Sequence, residues 1–240
     1  MSTNSKNVMA RKKLSDLPIA YKTGVAHFYG EPFFVNRHTL IPRKDTEVLV
    51  NEVIKIAEAG MRVLDLCTGT GCIAIMIKRL CPELDVVALD VSKKALGVAK
   101  RNAKLHGVDI EFVRGDMFDL QNIKDLDVIH GLDMIVCNPP YIRRNEIGKH
   151  DPSILYEPKL ALDGGADGLD FYRTIARSAF GYMNDGGKLL LEIGFDQAND
   201  VKSLLASIGW SKIEIIQDLA GRDRVVMAVW SATASPSLRA

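Results

Sequence analysis

Arg62-Val63-Leu64-Asp65-Leu66-Cys67-Thr68-Gly69-Thr70-Gly71 passes from a short apolar run into a glycine loop, and residues 72–80 behind it form a helical pattern closed by Pro82. Strand, loop and helix in that order open a strand–helix–strand unit. The pattern then repeats. Residues 85–90 read as a second strand. Ser92 caps a helix over 93–106 that Gly107 closes. Residues 110–113 and 132–137 read as the third and fourth strands. A helix over 169–183 ends at Asn184-Asp185-Gly186-Gly187, and a fifth strand covers 188–193. A helix over 197–207 precedes two last strands, 212–216 and 225–230, which flank Gly221-Arg222-Asp223-Arg224 without a helix between them. Repeated units of this kind imply an α/β fold with parallel strands, right-handed crossovers and helices on both faces. The final pair reads as a hairpin, so one strand of the seven runs antiparallel.

The front of the chain differs. Residues 26–35 look like a hairpin around Gly30-Glu31-Pro32. Residues 45–59 read as an amphipathic helix with Leu49, Val50, Val53, Ile56 and Ala57 on one face. The expected organisation is a disordered or residual segment at 1–20 and a hairpin-and-helix subdomain at 21–60. The main domain follows at 61–231, with a flexible tail at 232–240.

The 240 residues are 47% hydrophobic and 25% charged, which is ordinary for a globular α/β chain. A formal charge of +1 gives no general case for nucleic acid or membrane binding. No stretch is long and apolar enough for a bilayer, and the N-terminus lacks the apolar core of a signal peptide, so the expected location is cytoplasmic. Cys67, Cys72, Cys81 and Cys137 match no zinc spacing and no His accompanies them, so they are expected as buried free thiols, with no metal site.

Glycine at 69 and 71 lets the backbone turn sharply and approach a ligand with no Cβ in the way. Asp90 ends the second strand about 20 residues later, where a carboxylate bonds ribose hydroxyls. Dinucleotide enzymes and S-adenosylmethionine methyltransferases share both features. Ala74 stands where the third glycine of a dinucleotide fingerprint falls, and a small residue is tolerated there. Asp65 is placed to order the loop or to hold an ammonium group. Gly115-Asp116-Met117-Phe118 follows the third strand, and its Asp and apolar side chains suit the edge and face of an adenine; Asp116 equally suits a loop cap.

Asn138-Pro139-Pro140-Tyr141 follows the fourth strand. Two prolines cannot donate ladder hydrogen bonds, so pairing stops and the chain is stiffened at the end of the sheet where open α/β folds bind ligands. An Asn amide, proline carbonyls and an aromatic ring suit a planar –NH2 group, with oxygens accepting its N–H bonds and the ring on its face. A plain rigid turn with a core Tyr is the bland alternative.

Taken together, these elements resemble the HemK/PrmC-type release factor glutamine-N5 methyltransferase family, within the class I S-adenosylmethionine-dependent fold. The likeness spans roughly residues 19–230. It is carried by Phe34-Val35, Leu40-Ile41-Pro42-Arg43-Lys44-Asp45-Thr46-Glu47, the loop Asp65 to Gly71, Asp90, and Asn138 to Ile142. It continues through Tyr156-Glu157-Pro158, Ala161-Leu162, Gly164-Gly165, Asp167-Gly168-Leu169, Tyr172 and Asp223-Arg224-Val225. The resemblance implies methyl transfer from S-adenosyl-L-methionine, with S-adenosyl-L-homocysteine as product, to a glutamine side-chain amide in the Gly-Gly-Gln loop of a peptide chain release factor. It implies a cofactor site of Asp65, Cys67, Thr68, Gly69, Thr70, Gly71, Asp90, Val91, Asp116, Met117 and Asn138. The catalytic group is Asn138, Pro139, Pro140 and Tyr141; Arg43 and Glu47 join Asn138 and Tyr141 at the substrate mouth, although Asp45 and its neighbours also read as a helix start. Tyr156-Glu157-Pro158 and Gly164-Gly165 read as a long loop over the site. His106 and His150 read as solvent-side residues, and Arg143-Arg144 as a solvated pair.

Lys44 stands where the family usually has Pro. The family's N-terminal helical domain, which helps dock the release factor, is mostly absent before residue 19, so an accessory protein supplying that recognition is one expected partner. Three other readings compete. An adenine-N6 methyltransferase acting on RNA or DNA would use the same acceptors on a flipped base, but neutral charge and the lack of a basic arm argue against it. A non-catalytic cofactor-binding subunit of a methyltransferase complex leaves the whole Asn138 to Tyr141 group without a purpose. A nicotinamide oxidoreductase leaves that group unexplained.

Overall fold

Residues 16–122 and 126–231 are described by the computed structural model. The expected loose start and polar tail lie outside them in large part. In chain order the elements are α1 (Ile19–Thr23), β1 (Val25–Phe28), β2 (Glu31–Phe34), α2 (Glu47–Ile56), β3 (Arg62–Leu66), α3 (Cys72–Leu80) and β4 (Asp85–Asp90). They continue as α4 (Lys93–His106), β5 (Glu111–Arg114), β6 (Leu132–Cys137), α5 (Asp170–Ser178), β7 (Met183–Glu192), α6 (Ala198–Ile208), β8 (Ser211–Gln217) and β9 (Asp223–Val229).

β3 to β9 form one seven-stranded sheet in the order β5-β4-β3-β6-β7-β9-β8. Only β9 runs against its neighbours, pairing antiparallel with β7 and with β8. The expected α/β sheet with one antiparallel strand is therefore the observed one. After β5 the chain crosses over the sheet to place β6 on the other side of β3, so strand order reverses between β3 and β6. A crevice opens at such a point, beyond the carboxyl ends of the strands.

Side chains alternate between two apolar layers, as the period of two requires. Ile135 and Cys137 of β6 join Leu64, Leu66, Val87 and Leu89 on the face covered by α5 and α6. Met134 and Val136 join Val63, Val86 and Ala88 on the face covered by α2 and α3, and Phe28 and Phe33 of the β1–β2 hairpin pack into that same layer.

Several details differ from the sequence reading. The helix expected over 169–183 stops at Ser178, a 3-10 turn covers Ala179–Tyr182, and Met183 already pairs with Leu132 in the sheet. Residues 184–187 are a bulge inside β7, where pairing resumes at Lys188; polar Asn-Asp-Gly-Gly marks a kinked strand here as readily as a loop. The hairpin turns at Tyr29-Gly30, one residue early, with both φ positive at 55° and 74°, and Pro32 sits within β2. β5 starts at Glu111, a residue later than expected. His106 is no solvent-side residue: its ring lies 4.4 Å from the Phe33 ring, and Nε2 is 2.9 Å from the Pro32 carbonyl oxygen. No helix among the described residues is long and apolar enough to cross a membrane.

Candidate active site

A cavity of about 280 Å³ opens at the reversal point. Its walls come from the ends of four parallel strands: Cys67 and Gly69 after β3, Asp90 and Val91 at β4, Gly115, Asp116 and Met117 after β5, and Asn138 and Pro140 after β6. Two further segments close it: His38-Thr39-Leu40 from the front of the chain, and Pro158, Leu160 and Ala161 from the loop after β6. The sheet places these residues together because every parallel strand ends on the same side.

The β3–α3 loop is held by two carboxylates. Asp65 is fully buried on the α2–α3 face, and its Oδ2 accepts the Thr68 hydroxyl at 2.5 Å and the Ala74 amide at 3.2 Å. Gly71, the residue ahead of α3, has no side chain to cap the helix, so Asp65 supplies a cap from the neighbouring strand. Its Oδ1 has no partner, and burial pushes the carboxyl up to about 7. Asp90 bonds Gly69 N at 2.9 Å through Oδ2 and Ser92 N at 2.8 Å through Oδ1, while burial raises its pKa. Each oxygen keeps a lone pair for a hydroxyl guest. Cys67 adopts φ 65°, a left-handed conformation uncommon outside glycine. Gly71, at φ 80°, adopts a conformation that strains any other residue, and a Cβ there would sit a tight 3.1 Å from Ala99 Cβ and from Ile75 Cδ1. Thr68 and Thr70 are buried, and the Thr70 carbonyl accepts Asn102 Nδ2 at 2.9 Å. Asp65, Thr68, Thr70 and Gly71 thus shape the loop from behind, whereas Cys67, Gly69, Asp90, Val91, Asp116, Met117 and Asn138 line the cavity.

The donor set fits an adenosyl-bearing group. Carboxylates at 90 and 116 are placed to take polar edges, apolar Val91, Met117, Phe118 and Pro140 offer surfaces for ring faces, and Gly69 leaves room for close approach to the backbone. Asp116 also serves as the loop cap its neighbours suggested, accepting Phe118 N at 2.9 Å.

Asn138 sits on the parity of Met134 and Val136 and so turns toward α2. Its Nδ2 donates to Thr46 Oγ1 at 3.2 Å. Tyr141 packs against the opposite layer, and its hydroxyl reaches Glu192 Oε1 at 3.4 Å. Its carbonyl accepts Gln197 Nε2 at 3.1 Å. Burial and the nearby Glu192 charge push the Tyr141 phenol well above its usual range. Pro139 and Pro140 are buried, and the chain after them is braced by Gly164. A Cβ on Gly164 would stand 2.7 Å from Tyr141 Cα, so only glycine lets the two segments touch. Ile142 N bonds Leu162 O, and Gly164 N bonds Ile142 O.

The loop over the site is more structured than its sequence suggested, with 3-10 turns at Pro152–Tyr156 and Lys159–Ala161. Glu157 anchors it. This buried carboxylate accepts Ile41 N at 2.8 Å and pairs with Arg43, tying the loop to Leu40-Ile41-Pro42-Arg43. Arg43 is therefore a clamp at the rim. Glu47 lies away from the cavity and accepts Tyr29 N at 2.8 Å, which steadies the hairpin. Asp45 pairs with Arg224 at 3.0 Å. Arg143 pairs with Asp196 at 2.8 Å and Arg144 with Asp163 at 3.0 Å, so neither is merely solvated.

Sequence reasoning missed the role of Thr46, and it missed Glu192 and Asn102 altogether. Each is a polar residue inside an apolar pattern, the one signal that marks such positions. It also missed His38, Leu160 and Phe171 of the cavity wall, which come from distant segments.

Comparison with known proteins places the chain in a family. The family described as "Methyltransferase small domain" matches residues 43–156. The chain is 40% identical over 225 residues to a "Release factor glutamine methyltransferase" of Thermodesulfovibrio yellowstonii, covering 91% of this chain and 78% of that protein. It is 41% identical to the protein of that name in Neisseria gonorrhoeae, covering 91% and 79%. Among solved structures, a methyltransferase from Pyrococcus furiosus aligns with a TM-score of 0.63 at 19% identity, over 85% of this chain and 90% of that one, a likeness of fold. With a glycine-loop cavity, Asn138 and Pro140 of the Asn-Pro-Pro-Tyr turn on its wall and relatives matched over nine-tenths of its length, the chain belongs to the release factor glutamine methyltransferase family.

Proposed function

We propose that this protein transfers a methyl group from S-adenosylmethionine to the side-chain amide nitrogen of a glutamine, in the Gly-Gly-Gln loop of a peptide chain release factor. One observation carries the reading: Asn138 and the glycine-loop carboxylate Asp90 line the same cavity. An acceptor for an –NH2 group and a cradle for a nucleoside thus open onto one space. The relatives named above are release factor glutamine methyltransferases, which narrows the guest.

S-adenosylmethionine, when bound, would supply an electrophilic methyl carbon and leave as S-adenosylhomocysteine, with the methylated nitrogen losing one N–H proton after transfer. The protein's task is to present a poor nucleophile. An amide lone pair is delocalised, and the nitrogen becomes more positive as it is alkylated. Asn138 Oδ1 and the Pro139 carbonyl accept its two N–H bonds, which fixes the attacking face and favours the developing charge. Tyr141 packs on the amide plane and excludes water. Orientation of this kind is worth up to roughly 7–11 kcal/mol in favourable cases. Asp90 and Asp116 would hold polar edges of the cofactor, and Val91, Met117 and Phe118 its ring faces.

The test uses radiolabelled S-adenosylmethionine with an intact release factor, followed by peptide mapping. Label is expected on the glutamine of the Gly-Gly-Gln loop, with Asn138→Ala nearly abolishing it while cofactor affinity stays largely intact. Label on nucleic acid and none on glutamine overturns the reading in favour of an adenine-directed enzyme.

A further inference from the structure

Beneath Asn138 lies a buried acid that the chemistry above leaves unused. Glu192, the last residue of β7, is 1% exposed. Tyr141 reaches its Oε1 at 3.4 Å, and its Oε2 has no hydrogen-bond partner. Burying a carboxylate with an unfilled oxygen is costly, so its position calls for an explanation.

Thr46 supplies one. It is 2% exposed and lies just ahead of α2, between Asn138 and Glu192. Its oxygen takes the Asn138 Nδ2 hydrogen at 3.2 Å, and its hydroxyl is a hydrogen-bonding neighbour of the Glu192 carboxylate. A threonine hydroxyl has one proton. An amide NH2 only donates and an ionised carboxylate only accepts, so with Glu192 ionised the polarity runs one way: Asn138 N–H to Thr46, Thr46 O–H to Glu192. The Asn138 oxygen is then left on the side away from Thr46. Turning the amide over would demand the same Thr46 proton for Oδ1. It would leave the carboxylate with Tyr141 as its one hydroxyl donor and set NH2 against the NH2 of the substrate.

We propose that Glu192, acting through Thr46, is a positioning residue that keeps the Asn138 amide oxygen turned toward the substrate. The step from orientation to rate rests on the methyl-transfer reading above. The groups facing Glu192 are Tyr141 and Cys137 from the end of β6, Tyr172 from α5, Cys72 from α3, Asp45 ahead of α2 and Arg224 from β9. Burial pushes the Glu192 carboxyl up to about 7 against the opposing pull of Thr46 and Arg224. The ionised form accepts from Thr46 and holds the sense of the relay; the protonated form can donate to Thr46 and releases it. The positioned state is therefore the one present above this pKa.

The experiment reads orientation first. In protein labelled with ¹⁵N-asparagine, the Asn138 side-chain NH2 signals, assigned by their loss in Asn138→Ala, are expected to shift with pH around a midpoint near 7. That shift disappears in Glu192→Gln and Thr46→Val and persists in Thr46→Ser. With the release factor as substrate, Thr46→Val is expected to lower kcat about tenfold at unchanged KM for S-adenosylmethionine, as loss of one hydrogen bond's worth of orientation requires. Thr46→Ser restores most of that loss, and Glu192→Gln removes the acid limb of the kcat–pH profile. Asn138 signals that ignore both pH and Glu192→Gln overturn the proposal. So does a Thr46→Val enzyme with undiminished kcat. Should Glu192→Gln fail to fold, the two Thr46 variants decide the matter. If the wild-type protein labels no glutamine, the methyl-transfer reading fails by itself, while the NMR titration still tests the relay.

Discussion

Asp65 is a buried carboxylate with two donors on one oxygen and none on the other. Its pKa rises from 3.8 to about 7 because burial outweighs the Thr68 and Ala74 bonds. Between these values the folded protein holds a proton that the unfolded chain has lost, so this group's contribution falls as pH rises and is lost above the folded pKa. Asp65→Asn keeps an acceptor for both donors and removes the charge. Its stability relative to wild type is expected to climb by roughly 2–4 kcal/mol between pH 4 and 8, at about 1.36 kcal/mol per pKa unit. Urea titrations of the pair at both pH values measure this, and a difference independent of pH means the carboxyl is not protonated in the fold. At residue 164 the constraint is steric. Gly164→Ala drives a Cβ to within 2.7 Å of Tyr141 backbone, which cannot swing aside. A loss of about 1–3 kcal/mol in stability is expected, with a larger fall in kcat than in cofactor affinity, because the Asn138 to Tyr141 turn shifts with it.

Elements are joined around the site by single carboxylates, and each joint makes its own prediction. Glu157 ties the loop after β6 to residues 40–43. Glu157→Ala leaves Ile41 N and Arg43 without their acceptor, and the roof formed by Pro158, Leu160 and Ala161 loosens over the cavity. Cofactor Kd by calorimetry is expected to rise about tenfold, the effect of losing charge-assisted bonds worth about 1.5–3 kcal/mol less what water restores. An unchanged Kd assigns the clamp a purely architectural part. Glu47 joins α2 to the β1–β2 hairpin through Tyr29, whose φ of 55° is unusual for an aromatic residue. Glu47→Ala is expected to speed hydrogen exchange at the Tyr29 amide and leave kcat within about twofold, since the residue lies off the cavity. A selective rise in substrate KM instead restores it to the substrate mouth.

At the scale of the molecule, one crossover sets everything. The chain leaves β5 at one edge and returns as β6 beside β3, which brings the glycine loop and the Asn138 turn into one crevice. A ligand that binds only this assembled crevice stabilises the whole fold by mass action. S-adenosylhomocysteine at about 100 times its Kd is expected to raise Tm by roughly 5–10 °C, from about 2.7 kcal/mol at 2–4 °C per kcal/mol for a chain of this size. NAD at the same concentration is expected to leave Tm unchanged. The reverse pattern in a thermal scan sinks the methyl-donor assignment and revives the dinucleotide one.

The sheet was legible because its rules are local. Apolar runs of period two, glycines at 69 and 71 and caps at Ser92 and Gly107 specify strands, turns and helices from a few adjacent residues, and handedness then leaves few topologies. Asn138-Pro139-Pro140-Tyr141 announced itself for the same reason, since two prolines in a row constrain the backbone wherever they occur. The rest depended on distance in sequence. That Asp65 caps α3, that Glu157 holds Ile41, and that Glu192 meets Thr46 are pairings between segments up to 146 positions apart in the numbering. A buried charge gains its meaning from the partner that the fold brings to it, and no pattern of neighbours along the chain carries that information.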